Sequence, residues 1–288
     1  MDNSWLNPYG VCLVVGLLVW WWTSRRQAKQ AGIDPSHVDL LAPLIVVMGI
    51  LGARGLSLIS PGDLQVSGHD TIATSRFRLF GWIGFGLITL LAYCRRQRIS
   101  FLTAADCFAS PSVLAVAIGR SGCLLAGCCW GDVCMAPSRL ESVADAALVR
   151  QIQTLPALCG ERIPWAIRYP AGSFAHRQQV TAGLLEPDAQ SSLPVHPVQL
   201  YESGLLFCLA GWIGVRSRKR SRAGQGFLLA LAGYSLIRFV TEYFRADSPI
   251  ILGALTLTQL ICLGIVTAAG VVAVGILRPR KPTSTSPT

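Results

Sequence analysis

One arginine in an apolar run defines the chemistry open to this chain. The stretch 115–131, AVAIGRSGCLLAGCCWG, is apolar enough to enter a bilayer, yet Arg120 lies inside it. A guanidinium at that depth costs ~3 kcal/mol to insert, so it calls for a carboxylate on another helix or for a ligand. Gly119, Gly122 and Gly127 flank it and let a backbone or a ligand approach closely. A second stretch, GYSLIRFVTEYFRAD, spaces Tyr234, Arg238, Glu242 and Arg245 by four, four and three residues. That spacing puts them on one helical face, with Leu236, Ile237, Phe239, Val240 and Phe244 on the others. A third stretch, VHPVQLYE, sets His196, Gln199, Tyr201 and Glu202 at the start of a helix whose first turn suits Pro197. Arg54, in LGARG, adds a further cation. Arginine exceeds acid in these stretches, and arginine grips phosphate bidentately. Two readings follow: a site for a phospholipid phosphate, or internal pairing with Arg238–Glu242 as an i,i+4 ion pair.

Cysteine supplies a second possible chemistry. Cys123, Cys128, Cys129 and Cys134 are close in sequence, with Cys159 further on. The spacing C-x4-C-C-x4-C is not that of the usual zinc motifs, so neither metal nor cofactor is expected from it. Three readings remain open. Cys128 or Cys129 pairs with Cys134 or Cys159 in a disulfide; all are buried free thiols; or one is a reactive thiolate beside Arg120.

These residues must be held by membrane helices. Of 288 residues, 52% are hydrophobic and 14% charged, a membrane composition. Seven apolar segments run over 5–22, 40–59, 79–94, 101–130, 200–215, 226–244 and 251–277. Most approach the ~20 residues that span a hydrocarbon core, and the third and fifth must extend into polar sequence to do so. The fold expected is an all-α protein of seven transmembrane helices. Basic clusters at 25–29, 95–98, 216–222 and 278–281 follow alternate segments. The positive-inside rule puts these in the cytoplasm, with the N-terminus outside and the C-terminus inside. The net charge of +10 is therefore topological and does not mark a nucleic-acid partner. The run before the first basic cluster carries no Lys or Arg, which fits an uncleaved first helix. The organisation is helices 1–4 over 1–131, an extracytoplasmic head over 132–197, helices 5–7 over 198–277 and a disordered tail over 278–288. Within the head, 141–153 is helix-compatible.

Taken together, the motifs resemble the bacterial prolipoprotein diacylglyceryl transferases. That family's G-R-x-G-N-F-x-N-x-E-x-x-G aligns with 119–131, its H-P-S-Q-L-Y-E with 196–202 and its Y-x-x-x-R-x-x-x-E-x-F-R with 234–245. Its early Y-G is similar to Tyr9-Gly10, its G-G-R to Gly52-Ala53-Arg54 and its L-T-x-x-Q to 255–259. The resemblance implies transfer of diacylglyceryl from phosphatidylglycerol to the lipobox cysteine thiol of a lipoprotein precursor, by a monomer of the inner membrane acting on its periplasmic side. The partners implied are phosphatidylglycerol and the precursor's signal peptide. It gives Arg120 and Arg238 the leaving phosphate and Tyr234 a hydrogen bond, and its proposed base is the histidine of an H-G-G motif. His196, at the mouth of its helix with an ordinary pKa of ~6.5, is either a base in its stead or an anchor of the outer domain, unless two arginines lower the thiol's pKa enough without a base. It assigns substrate binding to Tyr9, Arg54, Gly119, Gly122, Gln199, Tyr201, Glu202, Glu242 and Arg245. The chain departs from the pattern where Cys123 and Ala126 replace asparagines, Cys128 replaces the glutamate and Phe80 replaces the histidine of an H-G-G motif.

Three functions are compatible with this: the family transfer itself, transfer of another lipid through a cysteine-based site, and phospholipid or lipoprotein binding without catalysis. The orientation is testable alone. A Ser191→Cys variant, in a background lacking interfering thiols, should react with an impermeant thiol reagent in intact cells. Labelling only after the inner membrane is opened would reverse the topology.

Overall fold

The computed structural model describes residues 8–59, 72–134, 163–217, 222–245, 250–252 and 255–277. Among them, seven long helices overlie the seven apolar segments. They are α1 (Pro8–Gln30), α2 (Pro35–Ile59), α3 (Ile72–Arg96), α4 (Phe101–Ala126), α6 (Val198–Ser217), α7 (Gln225–Glu242) and α8 (Leu257–Leu277), with a short α5 (Phe174–Thr181) between α4 and α6. A small antiparallel ribbon, β1 (Ile250–Leu252) and β2 (Leu255–Thr256), occupies the start of the seventh apolar segment, so α8 begins six residues later than apolarity alone indicates. As expected from their short apolar runs, α3 and α6 continue into polar sequence, to Ile72 in one case and Ser217 in the other. Four stretches, Pro35–Gly55, Phe101–Ala126, Val198–Ser217 and Leu257–Gly275, are long and apolar enough to cross a membrane. The loop 60–71, the helix-compatible 141–153, Cys159 and the tail 278–288 lie outside the described residues, as does the side chain of Phe80.

The helices are patterned for lipid rather than water. On α1 the buried positions are Gly16, Trp20, Ser24 and Ala28, one every fourth residue. The opposite face exposes Val11, Val14, Val15, Leu18 and Trp22. Small and polar residues inside with aliphatics outside is what a bilayer favours, because lipid is as apolar as leucine and close backbone approach becomes the source of cohesion.

α4 is the hub, packing against α1, α3, α6 and α7. The α1 contact is close: a Cβ on Gly122 would lie 2.8 Å from Cys12 Cβ, and one on Gly16 would lie 3.3 Å from the Ala115 carbonyl oxygen. Trp20 Nε1 donates to Ser112 Oγ across that interface at 3.0 Å. Hydroxyls stitch α4 to α6: Ser110 donates to the Ala210 carbonyl at 2.8 Å, Ser203 donates to the Ala117 carbonyl at 3.1 Å, and Ser121 Oγ lies 3.0 Å from Ser203 Oγ. The glycines of α2 serve α3. A Cβ on Gly52, within LGARG, would fall 2.5 Å from the Phe85 ring.

α4 also caps α7. Gly224 precedes α7 in the left-handed conformation and has no side chain to satisfy the first amides. Asp106 reaches across from α4, Oδ2 accepting from Gly224 N at 2.6 Å and Oδ1 from Phe227 N at 2.7 Å. A cap supplied from another helix fixes the axial position of α7 on α4, and with it the height of Arg238 against Arg120. Asp106→Ala should therefore lower stability by ~1–2 kcal/mol, the usual worth of a lost cap. A thermal unfolding midpoint in detergent should fall accordingly, and Asp106→Asn should fall less.

Candidate active site

The signature stretch ends α4 with a turn that brings cysteines together. Gly127 is left-handed (φ 67°) just past the helix, its N–H bonded to the Leu124 carbonyl at 3.3 Å, while Cys128 N–H bonds back to the Cys123 carbonyl at 3.1 Å. This paired 5→2 and 6→1 pattern is a Schellman motif, and it lays the sixth residue back over the first. Cys129 then also takes a left-handed backbone (φ 57°), unusual for a residue with a Cβ. As a result the sulfurs of Cys123, Cys128 and Cys129 all lie within 4.8 Å of one another. Cys123 is buried and the other two are part-exposed. No disulfide joins two of the described cysteines. Cys134 is buried apart from the cluster, its thiol directed at the Asp132 carbonyl, so no disulfide joins it to Cys128 or Cys129.

The arginines meet one carboxylate. Arg120 Nε on α4 lies 3.1 Å from Glu202 Oε1, and Arg238 Nη1 on α7 lies 3.6 Å from Glu202 Oε2. Arg238 Nη2 lies 2.7 Å from Glu242 Oε2. Internal pairing thus accounts for much of the charge that sequence left uncompensated: Glu202, placed at the mouth of its helix, bridges both arginines. The pairing is incomplete. Arg238 Nη1 is buried without a hydrogen-bond partner, and the side chains of Arg120 and Arg238 are 17% and 13% exposed. Glu242 is steadied from α8. Thr256 Oγ1 donates to Glu242 Oε1 at 3.2 Å and accepts from Gln259 N at 3.3 Å, and Gln259 Oε1 accepts from Thr256 N at 3.0 Å. That reciprocal pair is a capping box, the physical content of the T-x-x-Q pattern. Tyr234 packs with the α4–α6–α7 apolar cluster, near enough for its phenol to act on Arg120. Arg245 is buried just beyond α7 and bears on both Arg120 and Cys129.

Residues 190–198 lace this end of the bundle together. Gly131 N donates to the His196 carbonyl at 3.0 Å, His196 N to the Asp132 carbonyl at 3.0 Å, and Asp132 N to the Phe244 carbonyl at 2.8 Å. Val195 pairs with Ile167 on its other side. Gly131 has no alternative, since a Cβ there would lie 2.5 Å from the Phe244 carbonyl oxygen. Gln199 Nε2 donates to the Cys128 carbonyl at 2.6 Å and to Tyr169 Oη at 3.3 Å, so it braces the cysteine turn. His196 is buried: Nδ1 lies 3.3 Å from Tyr201 Oη, the ring packs on Tyr201 and Phe244, and Nε2 has no partner. Trp165 Nε1 donates to the same Tyr201 Oη at 2.6 Å. Gly119 faces open space, whereas Gly122 packs on α1. Tyr9 and Arg54 lie at exposed positions of α1 and α2. Sequence reading missed Asp132 and Tyr169, which carry no local signal. It placed Thr256 in the L-T-x-x-Q motif but not its role as a capping box that holds Glu242.

The described residues form a mostly helical bundle with membrane-length helices, in which two arginines are gathered on one buried carboxylate. The chain belongs to the prolipoprotein diacylglyceryl transferase family, whose model matches residues 3–275. With its apolar helices, this makes it a multi-pass membrane protein. It is 25% identical to the phosphatidylglycerol–prolipoprotein diacylglyceryl transferase of Clostridium tetani, over 88% of this chain and 87% of that one. Its identity to the protein of that name from Symbiobacterium thermophilum is 27%, over 88% and 82%. For Rhodospirillum rubrum the identity is 27%, over 95% and 89%.

The Glu202 bridge has a stability consequence. Removing one partner of a buried ion pair costs ~3–5 kcal/mol, and the partial exposure of both arginine side chains moderates that here. Glu202→Gln should destabilise the protein measurably but by less than that range. Chemical or thermal unfolding in detergent reads the difference.

Proposed function

We propose that this chain transfers diacylglyceryl from phosphatidylglycerol to the lipobox cysteine thiol of a lipoprotein precursor, on the periplasmic side of a bacterial inner membrane. The observation that carries this reading is the convergence of Arg120 and Arg238 on Glu202, with Arg238 Nη1 left unsatisfied. A lipid phosphate entering there completes the donor set and shares the guanidiniums with Glu202.

The chemistry is a displacement at carbon. The acceptor sulfur, as thiolate, attacks the glycerol carbon that carries the phosphoester. The carbon–oxygen bond breaks, a thioether forms, and glycerol phosphate leaves with the electron pair. Negative charge grows on the leaving phosphate, so fixed guanidiniums stabilise the transition state more than the bound lipid. Tyr234, beside Arg120, donates a hydrogen bond to the same phosphate. Gly119 keeps the approach open. The seven helices are transmembrane, their basic ends cytoplasmic and residues 132–197 an extracytoplasmic head. In that head His196 is an anchor: both its backbone polar groups and its Nδ1 are engaged.

The test is complementation of a strain depleted of its own transferase, with mass analysis of a lipoprotein N-terminus. The parent should restore the diacylglyceryl modification. Arg120→Ala and Arg238→Ala should each abolish it, whereas Arg216→Ala, at the basic end of α6, should not. His196→Asn should keep the parental pH profile if the protein folds. Failure of the parent to modify the precursor, with normal membrane insertion, would overturn this reading and leave transfer of another lipid or phospholipid or lipoprotein binding without catalysis.

A further inference from the structure

Phe80 and the buried ring of His196 leave the acceptor thiol without an evident base, and the site holds instead a feature that the family pattern lacks. Three sulfurs, contributed by one helix end and its Schellman turn, lie within 4.8 Å of one another. Zinc bound tetrahedrally by thiolates at ~2.3 Å sets its sulfurs ~3.8 Å apart, so closure needs shifts of an ångström or less. Three features suggest a site built to converge. The backbone of Cys129 is held left-handed, against the preference of a residue with a Cβ. Gln199 fixes the Cys128 carbonyl at 2.6 Å. Cys123 is three residues from Arg120 on α4, hence on the same face.

We propose that Cys123, Cys128 and Cys129 form a three-thiolate zinc site whose fourth position takes the acceptor cysteine thiol. The metal site stands on this geometry alone; the identity of the fourth ligand rests on the transferase reading above. Three protein ligands with one position open is the arrangement of a catalytic zinc, and soft thiolates select a soft or borderline ion. A coordinating thiol is deprotonated outright, its proton passing to water, so the metal does the work of a base. Four thiolates around zinc carry a net negative charge, which leaves the acceptor sulfur nucleophilic, and Arg120, three residues from Cys123 on α4, moderates that charge. The sulfur then attacks the glycerol carbon as written above. The product thioether is a poorer ligand and departs, and the open position is restored. Coordination also protects adjacent thiols that would otherwise oxidise to a disulfide on an extracytoplasmic face.

The full-length protein, purified in detergent under reductant, should carry about one zinc per chain by elemental analysis. Cobalt in its place should give the intense near-ultraviolet absorption of thiolate-to-metal charge transfer. Cys128→Ser and Cys129→Ser should each lose the metal, while Cys208→Ser, on the exposed face of α6, should retain it. Because the cobalt spectrum of the parent counts sulfur ligands directly, a variant that misfolds does not blur the result. Absence of stoichiometric zinc, copper bound to the exclusion of zinc, a cobalt spectrum without sulfur bands, or zinc kept in both serine variants would each overturn the site. Zinc at the three thiols in a protein that fails complementation would sustain the metal site and remove the transferase reading. Undiminished transfer by a chelated, zinc-free protein would remove the metal's role and leave the transferase intact.

Discussion

The architecture depends on a carboxylate that holds two guanidiniums inside a helix bundle. Neither Arg120 on α4 nor Arg238 on α7 is cheap to bury in an apolar bundle without a partner. Glu202 lies at 3.1 and 3.6 Å from them and is itself buried. The helix that carries Glu202 must therefore lie against both α4 and α7, and α6 does. Everything around this contact fixes its geometry. Asp106 sets the height of α7 on α4. Thr256 and Gln259, at the start of α8, hold Glu242, which in turn holds the far edge of Arg238.

A fully satisfied ion network is a poor binding site, because a ligand must then compete with well-made contacts. This network stops short of satisfaction. Arg238 Nη1 is buried at 3.6 Å from the nearest carboxylate oxygen, beyond good hydrogen-bond range. The carboxylates keep the arginines aimed and desolvated, and the shortfall in pairing leaves donor capacity for an anion. Preorganisation of this kind costs folding stability and lowers the reorganisation needed when charge develops in the ligand.

Much of this was legible in the sequence. The helices could be drawn from apolar runs because lipid imposes a length on them. The stripe Tyr234, Arg238 and Glu242 followed from helical spacing, which is a local property, whereas Arg245 lies past the end of α7 and off the helix that sets that face. The family could be recognised from motifs in order. The partners of the arginines were less legible. Glu202 looked like a residue at a helix mouth, and only three-dimensional packing shows that it reaches both cations. Asp106 is a lone acid in an apolar run, and nothing within its own helix reveals that it caps another. The ribbon β1–β2 also escaped, since an apolar strand of three residues cannot be told from the first turn of an apolar helix by periodicity.

The cysteines show the same limit more sharply. Spacing argued against a zinc motif because the familiar motifs place their ligands on knuckles and short helices. Here a helix terminus does the gathering. A Schellman turn brings the sixth residue over the first, so a Cys at each of those positions is paired by the geometry of helix termination itself. Gly127 makes the turn possible, and the left-handed Cys129 folds the next thiol inward. The substitutions that remove the family's asparagine and glutamate at 123 and 128 therefore put sulfur at two places that the backbone already brings together. One of those places adjoins Arg120, and the carbonyl of the other is tied to the helix of Glu202 through Gln199. Loss of a polar pair and gain of a thiol cluster are the same structural event, one turn of α4 from Arg120.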